Sequence, residues 1–363
     1  MTAHGRPRAR DLGIEIGSFA TGKLNAIVDV PDVLVGHTTL HSDDNAVHTG
    51  VTAILPHGEN LYTDKVCAAV HVINGHGKST GFPQVEELGT IETPILLTNT
   101  LNVWSAADAM IDYLAEKNPD ARTFNPIVGE CNDGHTNDIV GRHVTREHVM
   151  EALKTASRNN IDEGCVGAGT GMHGFGWKGG IGTASRVTAT DEGKFMVGAM
   201  VLTNTGQSSQ LRIDGVPFGQ DVVPDYVRDR AGEDGQGSIM LVVGTDLPVT
   251  ARQLGRMARR ATFGLARTGG KAEHGSGDFV IAFSNGTRFD GQGKPGRGFD
   301  RLVADSDLST FFEMTIEAIE EAIVNALLRA ETTFRPDGSE LTALPIEDLK
   351  RVMANYGYRK DSA

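Results

Sequence analysis

The chain changes character at Ser238. Residues 225–237 read Asp-Tyr-Val-Arg-Asp-Arg-Ala-Gly-Glu-Asp-Gly-Gln-Gly, a polar, glycine-rich composition that belongs to a loop. Ile239-Met240-Leu241-Val242-Val243 is apolar throughout and breaks at Gly244. A short apolar run bounded by turn signals predicts a buried strand. The chain must therefore build a core around residues 239–243, and Ser238 stands where a loop enters it.

The rest of the chain supplies the other layers. Asn25–Thr39 reads as two short strands around Pro31, and Val51–Pro56, Val66–Asn74 and Pro94–Asn99 as further strands. Leu101, Trp104, Ile111 and Leu114 then recur at helical spacing up to a stop at Asn118-Pro119, with Asn99 or Thr100 as the cap. Asn125 to Glu130 starts as a strand, 145–159 reads as a helix, and Phe195 to Asn204 as a buried strand. A short strand is expected from Leu211. Beyond Ser238, Leu254, Met257, Ala261 and Leu265 share a helical face over 248–267, Phe279 to Phe283 is a second apolar strand, and 285–300 reads as a glycine-rich loop. Leu308 to Thr333 is a long helix and Ile346 to Tyr356 a short one. Sets of strands, each followed by a long helix, occur on both sides of Ser238. That pattern predicts an α/β protein with two sheets packed together and helices outside, over 1–363 as one domain.

Composition narrows the function. The formal net charge of −13 argues against a nucleic-acid partner, which needs a basic face. No apolar run approaches the ~20 residues of a membrane span. The basic N-terminus has no apolar segment after it, so a cytoplasmic protein with a disordered tip is expected. Cys67, Cys131 and Cys165 form no CxxC pair, and the histidines form no HExxH, so neither a metal nor another cofactor is expected. Glycine is abundant, at 45 of 363 residues, and clusters at 164–182 and 264–298. Gly169, Gly171 and Gly174 match GxGxxG, but no helix pattern follows, so a hairpin is expected there and not a dinucleotide site.

Ser238 has a specific chemistry open to it. If the Gly237–Ser238 bond is cut, one residue carries both a hydroxyl and a free α-amine. That amine titrates at about 7.7–8.0 and can activate the hydroxyl without a histidine. The cut can be autocatalytic, by attack of the Ser238 hydroxyl on the Gly237 carbonyl, and glycine leaves that carbonyl unhindered. The plain alternative is a loop-to-strand junction that happens to hold a serine. Three other places share this double reading. Glu130-Cys-Asn-Asp-Gly-His135 is a polar turn, or a pocket wall with Glu130 at its inner end. Asn204 is a turn former, or an amide aimed at an oxyanion. Ser276 and Asp278, two apart on an extended segment, point the same way.

Gly237-Ser238-Ile-Met-Leu-Val-Val-Gly-Thr-Asp-Leu-Pro248, His274-Gly-Ser276-Gly-Asp278-Phe-Val-Ile-Ala-Phe-Ser284, Leu24-Asn-Ala-Ile-Val-Asp-Val-Pro31 and Val35-Gly-His-Thr-Thr39 together resemble the DmpA-type aminopeptidases. These are the L-aminopeptidase/D-esterases, a family of serine peptidases that includes the β-peptidyl aminopeptidases. The resemblance runs from about Asp11 to about Asn355. It implies a four-layer αββα sandwich related to the ornithine acetyltransferases and similar in layout to N-terminal-nucleophile hydrolases. It implies a precursor that cuts itself into 1–237 and 238–363, which stay together as α and β chains, commonly in a tetramer of such pairs. Substrates are peptides, amides or esters with a free N-terminal amine. Position by position, it makes Ser238 the nucleophile, Ser276 and Asp278 its hydrogen-bonding support, Asn204 the oxyanion stabiliser and Glu130 the holder of the substrate ammonium. Asp278 stands where some β-peptidyl members carry Glu, and His135 where several relatives have an aromatic pocket residue. Two other functions fit the same residues: transfer of the acyl group to an amine in place of water, and an uncleaved, non-catalytic scaffold.

Overall fold

Alternation along the strands decides which layer each side chain meets. The computed structural model describes residues 5–159, 162–190, 193–225, 237–335 and 337–358, so most of the loop expected before Gly237, residues 226–236, lies outside the described residues. In chain order the strands are β1 (Leu34–His41), β2 (His48–Leu55), β3 (Asp64–Gly75), β4 (Thr90–Ile91), β5 (Ile95–Asn99), β6 (Ile127–Cys131), β7 (His173–Gly174), β8 (Trp177–Lys178), β9 (Gly180–Thr190), β10 (Gly193–Asn204), β11 (Ser238–Thr245), β12 (Gly277–Asp290), β13 (Thr333–Phe334) and β14 (Glu340–Leu341). The helices are α1 (Phe82–Leu88), α2 (Val103–Lys117), α3 (Arg146–Lys154), α4 (Phe218–Asp221), α5 (Ala251–Arg267), α6 (Leu308–Arg329) and α7 (Ile346–Asn355).

One sheet has the order β1-β2-β5-β6 and the other β4-β3-β12-β11-β10-β9. On β11, Ile239, Leu241 and Val243 face α5 and α6, while Met240 and Val242 face the first sheet. On β2, Ile54 points into the space between the sheets, and Val51, Ala53 and Leu55 pack under α2 and α3. The result is the four-layer αββα sandwich. Buried on both faces, β11 has to be apolar at every position from 239 to 243. It runs antiparallel to β10 and parallel to β12.

Three local readings are corrected. Ile27–Asp29 is a 3-10 turn and not a strand. The Asp29 carboxylate accepts from Leu24 N, Ala26 N and Ser185 Oγ, and such side-chain bonds to the backbone compete with a sheet ladder. The segment after Leu211 makes only a tight Ile213–Val216 bridge. Residues 285–290 continue β12 where a loop is expected. Gly286 serves close packing, because a Cβ there would lie 2.1 Å from the Asp246 carbonyl oxygen. The glycine run 164–182 does contain a hairpin, β7–β8, preceded by a 3-10 turn over Gly167–Gly171. Among the described residues, no helix is long and apolar enough to cross a membrane.

One buried ion cluster ties β9 to α6. Arg186 is fully buried and bonds to Glu317 Oε2 at 2.9 Å, Glu321 Oε2 at 2.7 Å and the Ile16 carbonyl at 2.6 Å. Removing the guanidinium leaves buried carboxylates short of a partner. Arg186→Met is expected to cost about 3–5 kcal/mol of stability, read as a lower urea midpoint. A midpoint within error of wild type would show that Arg10, which also bonds to Glu321, suffices.

Candidate active site

Ser238 begins β11, in register with Asn204 on one side and Gly277 on the other. It is nearly buried, and Gly237 before it is wedged. A Cβ on Gly237 would lie 2.3 Å from the Asn204 carbonyl oxygen and 2.7 Å from Thr205 Cα, so no other residue fits without a shift. The Gly237 carbonyl accepts from Gly277 N at 3.3 Å, which holds and polarises the bond expected to be cut.

Asn204 ends β10 with its amide fixed at both atoms. Oδ1 accepts from His173 N at 3.0 Å, and Nδ2 donates to the Asn132 carbonyl at 3.0 Å. A side-chain amide has two N–H donors, so one remains for a ligand. The hairpin that brings His173 there is pinned by Lys178. This fully buried lysine donates to the carbonyls of Gly169, Met172 and Gly179 at 3.2, 2.8 and 2.8 Å. Burial pulls the His173 imidazole down to about 3, with His135 and Lys178 adding to it, so the ring is neutral at physiological pH.

Glu130 is buried near the end of β6. Its Oε1 accepts from Lys78 N at 2.8 Å and its Oε2 from the Thr100 hydroxyl. Below it, Asp133 accepts from Thr49 Oγ1 at 2.6 Å and Asn137 Nδ2 at 3.1 Å, and burial pushes its carboxyl up to about 6. His135 is exposed, with its ring centroid 5.1 Å from that of His173.

Ser238, Gly237, Asn204, Glu130 and His135 all line one cleft of about 540 Å3. Ser276 and Asp278 do not line it; they lie buried on either side of Gly277, where β12 starts next to Ser238, and Ser276 Oγ donates to Asp278 Oδ1 at 2.7 Å. Asn132, in the stretch expected as a pocket wall, lines it too, and so do residues the sequence did not point to, among them His76, Lys78, Thr100 and His173. From the sequence, Thr100 reads only as a helix cap and His173 only as part of a hairpin. Among the described residues, His57, Glu59 and Asp64 could hold a metal, at the end of β3 away from Gly75. Arg288 already pairs with Asp64 at 2.6 Å and Glu59 at 3.4 Å, so a cation there would meet a guanidinium.

Burial pushes the Asp278 carboxyl up from its ordinary 3.8 to about 6, against the Ser276 hydroxyl and the Ile239 N–H. Between these two values the folded protein holds a proton that the unfolded chain has released. The stability from this group is therefore full below pH 3.8 and is lost as pH rises through about 6. Asp278→Asn is expected to stabilise at pH 8, by up to about 3 kcal/mol, and not at pH 4. Melting temperatures at both pH values check this, and a gap that does not widen with pH would refute it.

The four-layer sandwich, with a polar cleft at the start of a central strand, is the architecture of the Ntn hydrolase fold. The sequence matches Peptidase family S58 over residues 25–341, and the chain belongs to that family. The β-peptidyl aminopeptidase BapA of Sphingosinicella xenopeptidilytica is 39% identical over 369 residues, covering 96% of this chain and 91% of that protein. Its namesake from Sphingosinicella microcystinivorans is 37% identical, covering 96% and 92%. Among solved structures, the L-aminopeptidase D-Ala-esterase/amidase of Ochrobactrum anthropi superposes with a TM-score of 0.90 at 36% identity, over 97% of this chain and 99% of that one. It is described as a prototype for the serine aminopeptidases and a variant of the Ntn hydrolase fold. The fold implied by the resemblance is thus the fold of the protein.

Proposed function

We propose that the chain is a precursor that cuts itself between Gly237 and Ser238, and that the resulting 1–237 and 238–363 chains form a serine aminopeptidase. The observation that carries this is the shared cleft of Ser238, Gly237, Asn204 and Glu130. In the first reaction the Ser238 hydroxyl attacks the Gly237 carbonyl carbon. The C–N bond breaks, the hydroxyl proton ends on the departing nitrogen, and an ester joins Gly237 to the Ser238 oxygen. Water hydrolyses that ester and leaves a free amine on Ser238.

In the second reaction Ser238 Oγ attacks the substrate carbonyl while its own α-amine takes the proton. The free N–H of Asn204 donates to the oxyanion, and Ser276 with Asp278 supports the nucleophile from behind. The leaving amine takes the proton as it departs, and water then hydrolyses the acyl-enzyme. Glu130 holds the substrate ammonium by a charge-assisted pair, and His135 forms a pocket wall. Substrates are peptides, amides or esters with a free N-terminal amine. No metal takes part. The working form is a cytoplasmic oligomer, a tetramer of αβ units.

Intact mass under denaturing conditions tests the reading. Two fragments meeting at Gly237/Ser238 are expected, and a single 38.7 kDa species would overturn it. Glu130→Gln is expected to raise KM about 10- to 100-fold with a smaller change in kcat, since it removes binding of the charged end. An unchanged KM for Ala-p-nitroanilide would move the ammonium site elsewhere.

A further inference from the structure

We infer that Lys78 is a receptor for a substrate carboxylate, placed one lysine side chain away from the ammonium site at Glu130; this rests on the aminopeptidase reading above. Lys78 lines the cleft, is exposed, and makes no side-chain hydrogen bond or ion pair with any described residue. In a chain with 47 Asp and Glu against 34 Lys and Arg, this cleft ammonium is paired with none of the described carboxylates.

The backbone of Lys78 is fixed. Its N–H donates to Glu130 Oε1 at 2.8 Å, Gly77 N bonds to Gly75 O at 2.9 Å, and Thr80 N bonds to Val128 O at 2.9 Å. The turn packs closely, since a Cβ on Gly77 would lie 2.4 Å from the Phe279 ring. The ammonium group is therefore tethered near Glu130 by a flexible four-carbon stem, free to meet an anion.

Among the described residues lining the cleft, Glu130 carries the one carboxylate and Lys78 the one ammonium. The remaining walls are mostly imidazole, amide and backbone, with Ile139 the one aliphatic side chain. The complementary ligand carries an amine and a carboxylate a short distance apart. Two residues of extended chain span ~7 Å, within that reach. The carboxylate is either the C-terminus of a di- or tripeptide, or the side chain of an acidic N-terminal residue.

The test measures kcat/KM of the purified protein for Ala-Ala against Ala-Ala-amide, and for Asp-p-nitroanilide against Asn-p-nitroanilide. Both pairs are run with wild type, Lys78→Met and Lys78→Arg, at low and high salt. The expected result is a preference of about 5- to 10-fold for the acid in at least one pair, carried by KM and weakened by salt. The ratio falls to near one in Lys78→Met and persists in Lys78→Arg. Preference in the first pair assigns the C-terminal carboxylate, and preference in the second assigns the side chain. No acid preference in either pair, or an equal preference in Lys78→Met, overturns the inference. Ala-p-nitroanilide separates the two levels. If wild type cleaves it, the aminopeptidase reading stands whatever the ratios; if wild type cleaves no substrate, both fall.

Discussion

Ser238→Ala is expected to run as one 38.7 kDa chain under denaturing conditions and to lose aminopeptidase activity by at least ~10⁴-fold. In the proposed mechanism both losses have one cause, because the same hydroxyl serves in the cut and in catalysis. The substitution removes one oxygen from a nearly buried position at a strand end, so the sheet persists and the melting temperature stays close to that of the uncut precursor. Ser238→Cys keeps a nucleophile and is expected to retain some processing, which separates chemistry from misfolding. An alanine variant that still appears as two fragments, or still turns over, would remove Ser238 from the mechanism.

The second large effect is at the oxyanion. Asn204→Ala is expected to lower kcat by about 10²–10³-fold, the scale of losing one preorganised donor. The substitution also strips the acceptor of His173 N and the donor to the Asn132 carbonyl, which costs stability of about 1–3 kcal/mol. Asn204→Asp separates these roles. It keeps an acceptor for His173 N but removes the N–H donors, and when charged it repels the developing oxyanion. A fall in kcat in both variants, with each still showing a cooperative melt, supports the assignment. A kcat within a few-fold of wild type in either would sink it.

The parts of the fold that follow from side-chain period were legible. The apolar run 239–243 demanded a strand covered on both faces, and the paired sets of strands and helices gave the four layers. What escaped were places where one hydrogen bond or one close contact decides. Asp29 turned a β-branched stretch into a 3-10 turn, and Gly286 looked like a loop residue while serving a tight approach to Asp246. The site divides in the same way. Glu130, His135, Asn204 and Ser238 were singled out in the sequence, and they share the cleft. Lys78 and His173 reach it through the bonds of residues 78–80 to β6 and the Lys178-pinned hairpin, contacts between segments far apart in sequence that no local pattern encodes.

The order β4-β3-β12-β11-β10-β9 places the two strands that follow Ser238 between strands that precede it. A cut at Gly237 therefore divides this sheet between the fragments: the longer one keeps its two separated flanks, beside the undivided β1-β2-β5-β6 sheet, and the shorter one only its middle. Before the cut, recovery from denaturation is a first-order event within one chain. Afterwards it is an encounter between two molecules, and its rate depends on their concentration. Maturation would thus make folding a one-way passage, with the intact precursor as the only form able to refold unaided by a partner.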